Sequence, residues 1–168
     1  KTRKNLETVL EVGCGTGVYP IKLKELFANI KYTGIDISET AIKQCKKNSS
    51  FEFIAGDFIK LDISRKFDLV FSHAVVDHVY DINLFFTKIV SLSKKYAYVS
   101  AYNGFFPDLE KHEMKYFKNE DYYLNKLSVK EIKDTLIRNG LYEKEFKIEL
   151  IKTGHSNIPE GTIIKISR

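Results

Sequence analysis

The stretch Val9–Gly17, VLEVGCGTG, constrains the fold of this chain more than any other part of its 168 residues. An apolar run typical of a strand ends in three glycines at alternate positions, Gly13, Gly15 and Gly17. Glycine adopts backbone conformations that are closed to other residues, and it lets a ligand approach the main chain. The stretch therefore predicts a strand that ends in a tight turn, at a place where a ligand meets the backbone.

Apolar strand-like runs alternate with amphipathic helical runs, which is typical of an α/β domain with a mainly parallel sheet. The predicted strands are Thr8–Val12, Lys31–Ile37, Phe51–Ala55, Phe67–Ser72, Tyr96–Tyr102, Phe146–Lys152 and Thr162–Ser167. Helices are predicted over Tyr19–Asn29, after caps at Ser38 and Asp81, and from a Ser128–Glu131 capping box to Gly140. The last two strands are joined by a short loop containing Gly154, Pro159 and Gly161, which favours an antiparallel hairpin. Because no linker or repeat interrupts this pattern, residues 1–168 are predicted to form a single domain.

Composition and charge argue against several classes of protein. No apolar run approaches the ~20 residues of a membrane helix, and the N-terminus lacks the features of a signal peptide, so a cytoplasmic protein without a membrane partner is expected. Cys14 and Cys45 have neither metal-ligand spacing nor a disulfide framework, so no metal is predicted. The net charge of +5 comes from scattered lysines, which favours a solvated surface and leaves an anionic partner open.

The glycine pattern also argues against two common nucleotide loops. A dinucleotide fingerprint, G-x-G-x-x-G counted from Gly13, would need a third glycine at position 18, which is Val18. The Gly-Lys-Ser/Thr ending of a phosphate-binding P-loop is absent as well. The loop is therefore not predicted to hold a pyrophosphate or a triphosphate, and a nicotinamide oxidoreductase is disfavoured.

VLEVGCGTG resembles the first motif of the class I S-adenosylmethionine-dependent methyltransferases. The stretches YTGIDIS (Tyr32–Ser38), FIAGDF (Phe53–Phe58) and FDLVFSHAVVDHVYD (Phe67–Asp81) resemble the ends of the second, third and fourth strands of that family. The order and spacing match from about Thr8 to the C-terminus. The resemblance implies a Rossmann-like, seven-stranded, mainly parallel sheet with helices on both faces and an antiparallel C-terminal hairpin.

The resemblance implies S-adenosylmethionine as cofactor and S-adenosylhomocysteine as product. It assigns cofactor binding to Glu11, Gly13, Cys14, Gly15, Gly17, Asp36, Ile37, Asp57, Phe58, Ser72 and His73. The Asp36 carboxylate can accept hydrogen bonds from both ribose hydroxyls, and Asp57 corresponds to the residue that accepts from the adenine amino group. Glu11 is expected near the methionine ammonium, since a buried carboxylate needs a partner. Cys14 is interpreted as a small loop residue and not as a nucleophile.

Methyl transfer from a sulfonium is an in-line displacement, so the protein mainly aligns the acceptor, which can contribute ~7–11 kcal/mol. A hydroxyl or ammonium acceptor also needs a base to remove its proton. The candidates follow strand four: His73, Asp77 and His78. Alternatively, His73 forms a wall of the cofactor pocket, His78 serves local structure, and Asp77 orients a histidine or caps a turn.

Residues 103–127 break the regular alternation and are rich in aromatic side chains. A long connection in a compact domain is often a functional lid, so this segment is predicted to cover the acceptor, with Tyr102, His112 and Tyr116 as contacts. The alternative is a hydrophobic cluster that braces the last helix. Many family members place helices before strand one, where this chain has about seven residues, so either segment 103–127 supplies the cover or an N-terminal segment is missing.

The sequence favours a methyltransferase that modifies an oxygen or nitrogen of a small molecule. An RNA or protein methyltransferase and a non-catalytic cofactor-binding module stay open as alternatives. The N/D-P-P-Y/F motif of amino-methylating nucleic-acid enzymes is absent after strand four, where Ser72, His73, Ala74 and Val75 stand. Nucleic acid is therefore a less favoured partner that the charge of +5 does not exclude. No feature indicates an oligomeric state.

Overall fold

The computed structural model describes residues 6–26, 29–152 and 160–167. Its strands are β1 Thr8–Val12, β2 Lys31–Asp36, β3 Glu52–Ala55, β4 Phe67–His73, β5 Ser93–Ala101, β6 Phe105–Phe106, β7 Glu113–Phe117, β8 Tyr122–Ser128, β9 Phe146–Lys152 and β10 Glu160–Ser167. Its α-helices are α1 Val18–Leu26, α2 Glu39–Asn48, α3 Ile82–Leu92 and α4 Val129–Arg138. Short 3-10 helices span Val76–His78 and Glu143–Glu145.

Seven strands form the main sheet, in the order β3-β2-β1-β4-β5-β10-β9. The first five of these run parallel, and β10 runs antiparallel to both β5 and β9. The predicted Rossmann-like sheet and its antiparallel C-terminal hairpin are confirmed. Gly161 lies in β10, whereas Gly154 and Pro159 of the predicted loop lie outside the described residues.

Helices cover both faces of the sheet, because successive strand residues point to opposite sides. On β1, Val9 packs in a cluster with α2, which contributes Ile42 and Cys45. The next residue, Leu10, packs on the other face in the larger cluster that holds the apolar residues of α3 and α4. The ligand-binding end of the sheet, where the parallel strands finish, is the edge from which the glycine loop leaves β1.

The predicted helix starts are confirmed at Ser38, Asp81 and Ser128, whose side chains accept from backbone N–H groups of the first turn. The predicted capping box is only half formed. The Glu131 carboxylate accepts from the backbone N–H of His112 instead, and the Ser128 N–H donates to His112 Nδ1 at 2.9 Å. Segment 103–127 thus competes for the groups that would have closed the box.

Several boundaries differ from the prediction. Helix α1 begins at Val18, Asn29 stands in a turn, and residues 27 and 28 lie outside the described part of the chain. Strand β4 extends to His73, and β5 runs from Ser93 to Ala101. The largest difference concerns residues 103–127, which form a second sheet in the order β6-β8-β7. The sequence of this segment shows no alternation of apolar and polar residues, because most β7 side chains are exposed on both faces.

The described ranges hold no helix with the length and apolar character that crossing a membrane requires.

Candidate functional site

The glycine loop that follows β1 is hydrogen-bonded to the neighbouring strand β2. The N–H groups of Gly13 and Cys14 donate to the Ile35 carbonyl of β2 at 2.7 and 3.0 Å. Gly13 has a φ of +79°, and a Cβ there would stand 2.1 Å from Cγ2 of Val75. Both the backbone conformation and the close approach of Val75 require glycine, so the first glycine shapes the loop and its contact with the turn after β4.

A cavity of about 270 Å³ opens at the carboxyl ends of β1, β2, β3 and β4. Six of the residues predicted for the site line it: Gly13, Asp36, Ile37, Asp57, Phe58 and His78. The remaining lining residues are Val12, Ile35, Gly56, Ile59, Ala74, Val75, Val79, Tyr80 and Phe85. The cavity is therefore mainly apolar, with two carboxylates and an imidazole at defined places.

Asp36 ends β2 and is held by backbone donors on both oxygens. Its Oδ2 accepts from the Gly15 N–H at 2.8 Å, and its Oδ1 accepts from the Ser38 N–H at 2.8 Å. A carboxylate offers about four acceptor positions. Two of them remain, on a side chain that lines the cavity and that the loop keeps in one orientation.

Asp57 follows β3 and is hydrogen-bonded to a tyrosine that also lines the cavity. Its Oδ1 accepts from the Ile59 N–H at 2.9 Å, and its Oδ2 accepts from the Tyr80 hydroxyl at 3.1 Å. Lys60 lies 3.5 Å away from the same carboxylate. The Tyr80 hydroxyl is thus a group that a ligand donor at Asp57 would join or displace.

Glu11 lies beneath the loop, on the face of β1 that α1 and α2 cover, and it is not among the lining residues. It is 2% exposed and accepts from the Tyr32 hydroxyl. Burial raises the pKa of Glu11 to about 7, with a smaller contribution from Asp36 and against the hydrogen bond from Tyr32. The Glu11 carboxyl group therefore gains or loses its proton near neutral pH.

Four other predicted residues do not line the cavity: Cys14, Gly15 and Gly17 of the loop itself, and Ser72 of β4. Cys14 is buried, and burial raises the pKa of its thiol, which disfavours the nucleophilic thiolate. The Cys45 thiol donates to the Gly15 carbonyl at 3.2 Å, and the Ser72 hydroxyl donates to the Val12 carbonyl at 3.0 Å. These contacts tie the loop to α2 and β4.

His73 ends β4 and is exposed among aromatic side chains. Its Nδ1 lies 2.6 Å from the Ser100 hydroxyl. The ring centroids of Tyr19 and Tyr102 lie 6.2 and 5.5 Å from the His73 ring. The three rings form a second group at the same edge of the sheet, outside the cavity lining.

Asp77 and His78 hold segment 103–127 in place. Asp77 is 1% exposed, and its two oxygens accept from the N–H groups of Tyr102 and Asn103, both at 3.0 Å. His78 Nδ1 lies 2.8 Å from the carbonyl of Tyr123 on β8. A carbonyl only accepts, so Nδ1 carries the proton and the neutral ring has its lone pair on Nε2.

Of the two remaining substrate candidates, His112 directly precedes β7 and Tyr116 lies in it. The His112 ring is buried, and its Nδ1 accepts from the Ser128 N–H, so it braces the start of α4. Tyr116 is 48% exposed, and its hydroxyl donates to Asp121 at 2.7 Å. Neither lines the cavity. In the described part of the chain, no group of three or more His, Cys, Asp or Glu side chains could hold a metal ion.

Sequence reasoning missed Val75, Tyr80, Tyr19 and Ser100, because their importance comes from partners distant along the chain. Ala74 was also missed. It has a φ of +58°, and its N–H donates to the Ser100 carbonyl at 2.9 Å. A left-handed alanine is uncommon and strained, and such residues cluster at functional sites. No local motif signals this conformation.

Comparison with known proteins identifies the family and supports the fold. Residues 3–147 match the methyltransferase domain family. Malonyl-[acyl-carrier protein] O-methyltransferase 1 of Ilyobacter polytropus is 34% identical over 93 residues, which are 53% of this chain and 35% of that protein. Pavine N-methyltransferase of Thalictrum flavum is 29% identical over 100 residues, 56% of this chain and 28% of that protein. The chain thus spans about a third of the length of these relatives.

A solved S-adenosylmethionine-dependent methyltransferase from Mesorhizobium loti superposes with a TM-score of 0.73 at 16% identity, covering 100% of this chain and 93% of that one. This likeness supports the fold. Since the family match covers most of the sequence and includes the glycine loop, the chain belongs to the methyltransferase domain family, as its resemblance to the class I S-adenosylmethionine-dependent methyltransferases predicted.

Proposed function

We propose that this chain binds S-adenosylmethionine in the cavity beside the glycine loop and transfers its methyl group to an oxygen or nitrogen of a small molecule. The observation that carries the proposal is the Asp36 carboxylate, which two backbone N–H groups orient in the cavity wall. The relatives named above, an O-methyltransferase and an N-methyltransferase, support both kinds of acceptor atom.

The cavity residues fit the nucleoside part of such a cofactor. The free acceptor positions of Asp36 suit the two ribose hydroxyls, and the Asp57 carboxylate suits the adenine amino group. Ile37, which is 77% exposed, offers an apolar surface to the base. The volume of about 270 Å³ is near the lower end of ligand pockets, ~300 Å³, which fits the nucleoside better than the whole cofactor.

The aromatic group at β4 suits the other end of the cofactor. Aromatic faces attract cations, and the exposed rings of Tyr19 and Tyr102 flank His73 at the edge where the methionine end would extend. The cofactor supplies a methyl group on a positively charged sulfur. The part of this chain is to hold the acceptor in line with that methyl group, and to accept a proton when the acceptor is a hydroxyl or an ammonium.

Two histidines are placed to accept that proton. His78 lines the cavity, and its hydrogen bond to the Tyr123 carbonyl leaves Nε2 as the basic atom. His73 lies outside the lining, with Nδ1 held by Ser100. A carboxylate acceptor would need neither histidine, because its oxygen is already ionised at neutral pH.

The test is calorimetric titration with S-adenosylmethionine and S-adenosylhomocysteine, with NAD as the comparison. Binding of the first two alone is expected. We expect Asp36→Ala to weaken this binding about tenfold or more, the loss of charged hydrogen bonds worth ~1.5–3 kcal/mol. Asp62→Ala, which removes an exposed carboxylate outside the cavity, is the matched control. Equal affinities in the two folded variants would remove Asp36 from the binding site.

Turnover distinguishes an enzyme from a binding module. Transfer of a labelled methyl group is measured with a panel of carboxylic acids, phenols and amines. For a phenol or amine acceptor, His73→Ala should lower turnover about 100-fold while cofactor affinity stays nearly unchanged, because His73 lies outside the cavity lining. His78→Ala should lower turnover by a similar factor and should also weaken cofactor binding, because His78 lines the cavity. Full turnover of both variants with an amine would contradict a histidine base. Cofactor binding without transfer to any acceptor would favour a non-catalytic module.

A further inference from the structure

Tyr80 is a protein partner of Asp57 within the cavity beside the glycine loop. Both residues line that cavity. The Tyr80 hydroxyl donates to Asp57 Oδ2 at 3.1 Å, and the tyrosine is 40% exposed, so the pair lies where the cavity meets solvent. The hydrogen bond joins the end of β3 to the turn before α3. It therefore occupies the carboxylate that the proposed cofactor would use for its adenine amino group.

The two carboxylate oxygens of Asp57 have different partners. Oδ1 accepts from the Ile59 N–H at 2.9 Å, and the Asp57 carbonyl accepts from the N–H groups of Lys60 and Leu61, so both belong to the turn after β3. Oδ2 accepts from the Tyr80 hydroxyl and lies 3.5 Å from the Lys60 ammonium. A carboxylate oxygen offers about two acceptor positions. A ligand N–H that binds Asp57 from the cavity must therefore take the position that the Tyr80 hydroxyl holds.

The backbone on both sides of Tyr80 is anchored, so its side chain is the part that can move away from Asp57. The Val79 carbonyl accepts from Asn125 Nδ2 at 2.8 Å. Asp81 caps the first turn of α3 through its side chain. Rotation of an exposed side chain about its own bonds is fast and needs no rearrangement of the main chain. The Tyr80 hydroxyl can therefore leave the carboxylate while the cavity keeps its shape.

We propose that Tyr80 is a latch on the adenine position of the cofactor cavity, and that the exocyclic amino group of adenine displaces its hydroxyl from Asp57. This inference rests on the proposed binding of S-adenosylmethionine. Since one hydrogen bond to the carboxylate replaces another, the hydroxyl lowers the affinity for any ligand that uses this acceptor. The methyl donor and the product carry the same adenine. The latch therefore weakens the binding of both and favours release of S-adenosylhomocysteine after transfer.

The test compares the wild type with Tyr80→Phe, which keeps the ring and removes the hydroxyl. The probes, titrated by calorimetry, are S-adenosylhomocysteine and its analogue with hydrogen in place of the exocyclic amino group. Tyr80→Phe should bind S-adenosylhomocysteine about fivefold more tightly than the wild type does, because the amino group no longer competes with a hydrogen bond of ordinary strength. The two proteins should bind the analogue equally, because the analogue does not displace the hydroxyl.

Tyr116→Phe is the matched control. It also removes a tyrosine hydroxyl that donates to an aspartate, Asp121, at 2.7 Å, and Tyr116 lies outside the cavity lining. This variant should bind both probes as the wild type does. An equal gain in Tyr116→Phe would show a general effect of removing a tyrosine hydroxyl and would overturn the latch.

Two other results would also overturn the latch. Unchanged or weaker binding of S-adenosylhomocysteine by Tyr80→Phe would show that the amino group does not displace the hydroxyl. Equally tighter binding of both probes would show a wider cavity and no competition at Asp57. The proposed cofactor site is tested separately: a lack of S-adenosylhomocysteine binding to both the folded wild type and folded Tyr80→Phe would overturn that site, and the latch with it.

Discussion

The carboxyl edge of the sheet has two halves that are built differently. In the half formed by β1, β2 and β3, cavity residues such as Gly13 and Asp36 lie directly at the ends of their own strands. In the half formed by β4 and β5, side chains are held by partners far along the chain, as His78 is held by Tyr123. The first half depends on local backbone geometry, and the second depends on where segment 103–127 docks.

This difference separates the expected effects of substitutions. Changes in the half formed by β1, β2 and β3 should alter the conformation of the glycine loop and the cofactor affinity together, because one backbone turn determines both. Changes in the half formed by β4 and β5 should first loosen segment 103–127 and leave the glycine loop intact. The following four predictions test this distinction, from the largest expected effect to the smallest.

Gly13→Ala should cost about 3 kcal/mol of unfolding free energy and most of the cofactor affinity. The added Cβ would stand 2.1 Å from Val75 Cγ2, at a φ of +79°. Gly15→Ala is the matched control, because a Cβ there has no neighbour within 4 Å, and it should cost about 1 kcal/mol of backbone strain. Urea denaturation measures both. Equal losses would mean that contact with the turn after β4 does not constrain the loop.

Glu11→Gln should remove a pH dependence of stability. The pKa of Glu11 is raised by burial to about 7, so its protonated form favours the folded state. Its contribution is fully present below about pH 4.5 and is lost as the pH rises through 7. Relative to Glu11→Gln, the wild type should therefore lose about 2–3 kcal/mol between pH 4.5 and 8, measured by urea denaturation. Parallel stability profiles of the two proteins would contradict the raised pKa.

Asp77→Asn should cost about 2 kcal/mol, because an amide inside the buried Asp77 site leaves one of the two part-buried backbone donors of Tyr102 and Asn103 without an acceptor. A catalytic Asp77 would instead lose turnover at unchanged stability. Asp81→Asn is the control, since asparagine caps a helix as well as aspartate, and it should be nearly neutral. Thermal and urea unfolding of both variants, together with methyl transfer, separate these roles.

Ala74→Gly should stabilise the protein by about 0.5 kcal/mol, because it relieves a left-handed alanine at φ +58° at the cost of some chain entropy. Ala41→Gly, inside α2, should lose about 0.8–1 kcal/mol by the ordinary helix propensity. A loss in both variants, measured by urea denaturation, would show that the turn after β4 is not strained.

Much of the fold was predictable because strand and helix signals are local. Strand β1 was placed from Thr8 to Val12 by its apolar run, and the caps at Ser38 and Asp81 by their side chains. The second sheet was not predicted, since exposed aromatic and charged residues in β7 show no apolar alternation. The capping box at Ser128 is only half formed, because His112, sixteen residues earlier, replaces Glu131 as the acceptor of the Ser128 N–H.

The residues of the candidate site also fall into those that the sequence predicted and those that depend on contacts between distant segments. The resemblance to the class I methyltransferases assigned Asp36, Asp57 and Gly13 to the cofactor site, and all three line the cavity. Glu11 lies beneath the loop, because alternation along β1 turns it toward the face covered by α1 and α2, and its place near the methionine ammonium stays a prediction. Tyr80 was missed, since only folding brings its hydroxyl to Asp57.

The sequence by itself determined the α/β class, the succession along the chain of the seven strands of the main sheet, the glycine loop and, through the family resemblance, the two carboxylates beside it. These depend on backbone conformation and on residues adjacent in the chain, where the physical cause is local. Only the tertiary structure decided the hydrogen bonds that Asp77 and His78 make to segment 103–127 and the close packing of Val75 on Gly13. Those features arise from contacts between distant segments, which exist only once the sheet has formed and segment 103–127 has packed beside it.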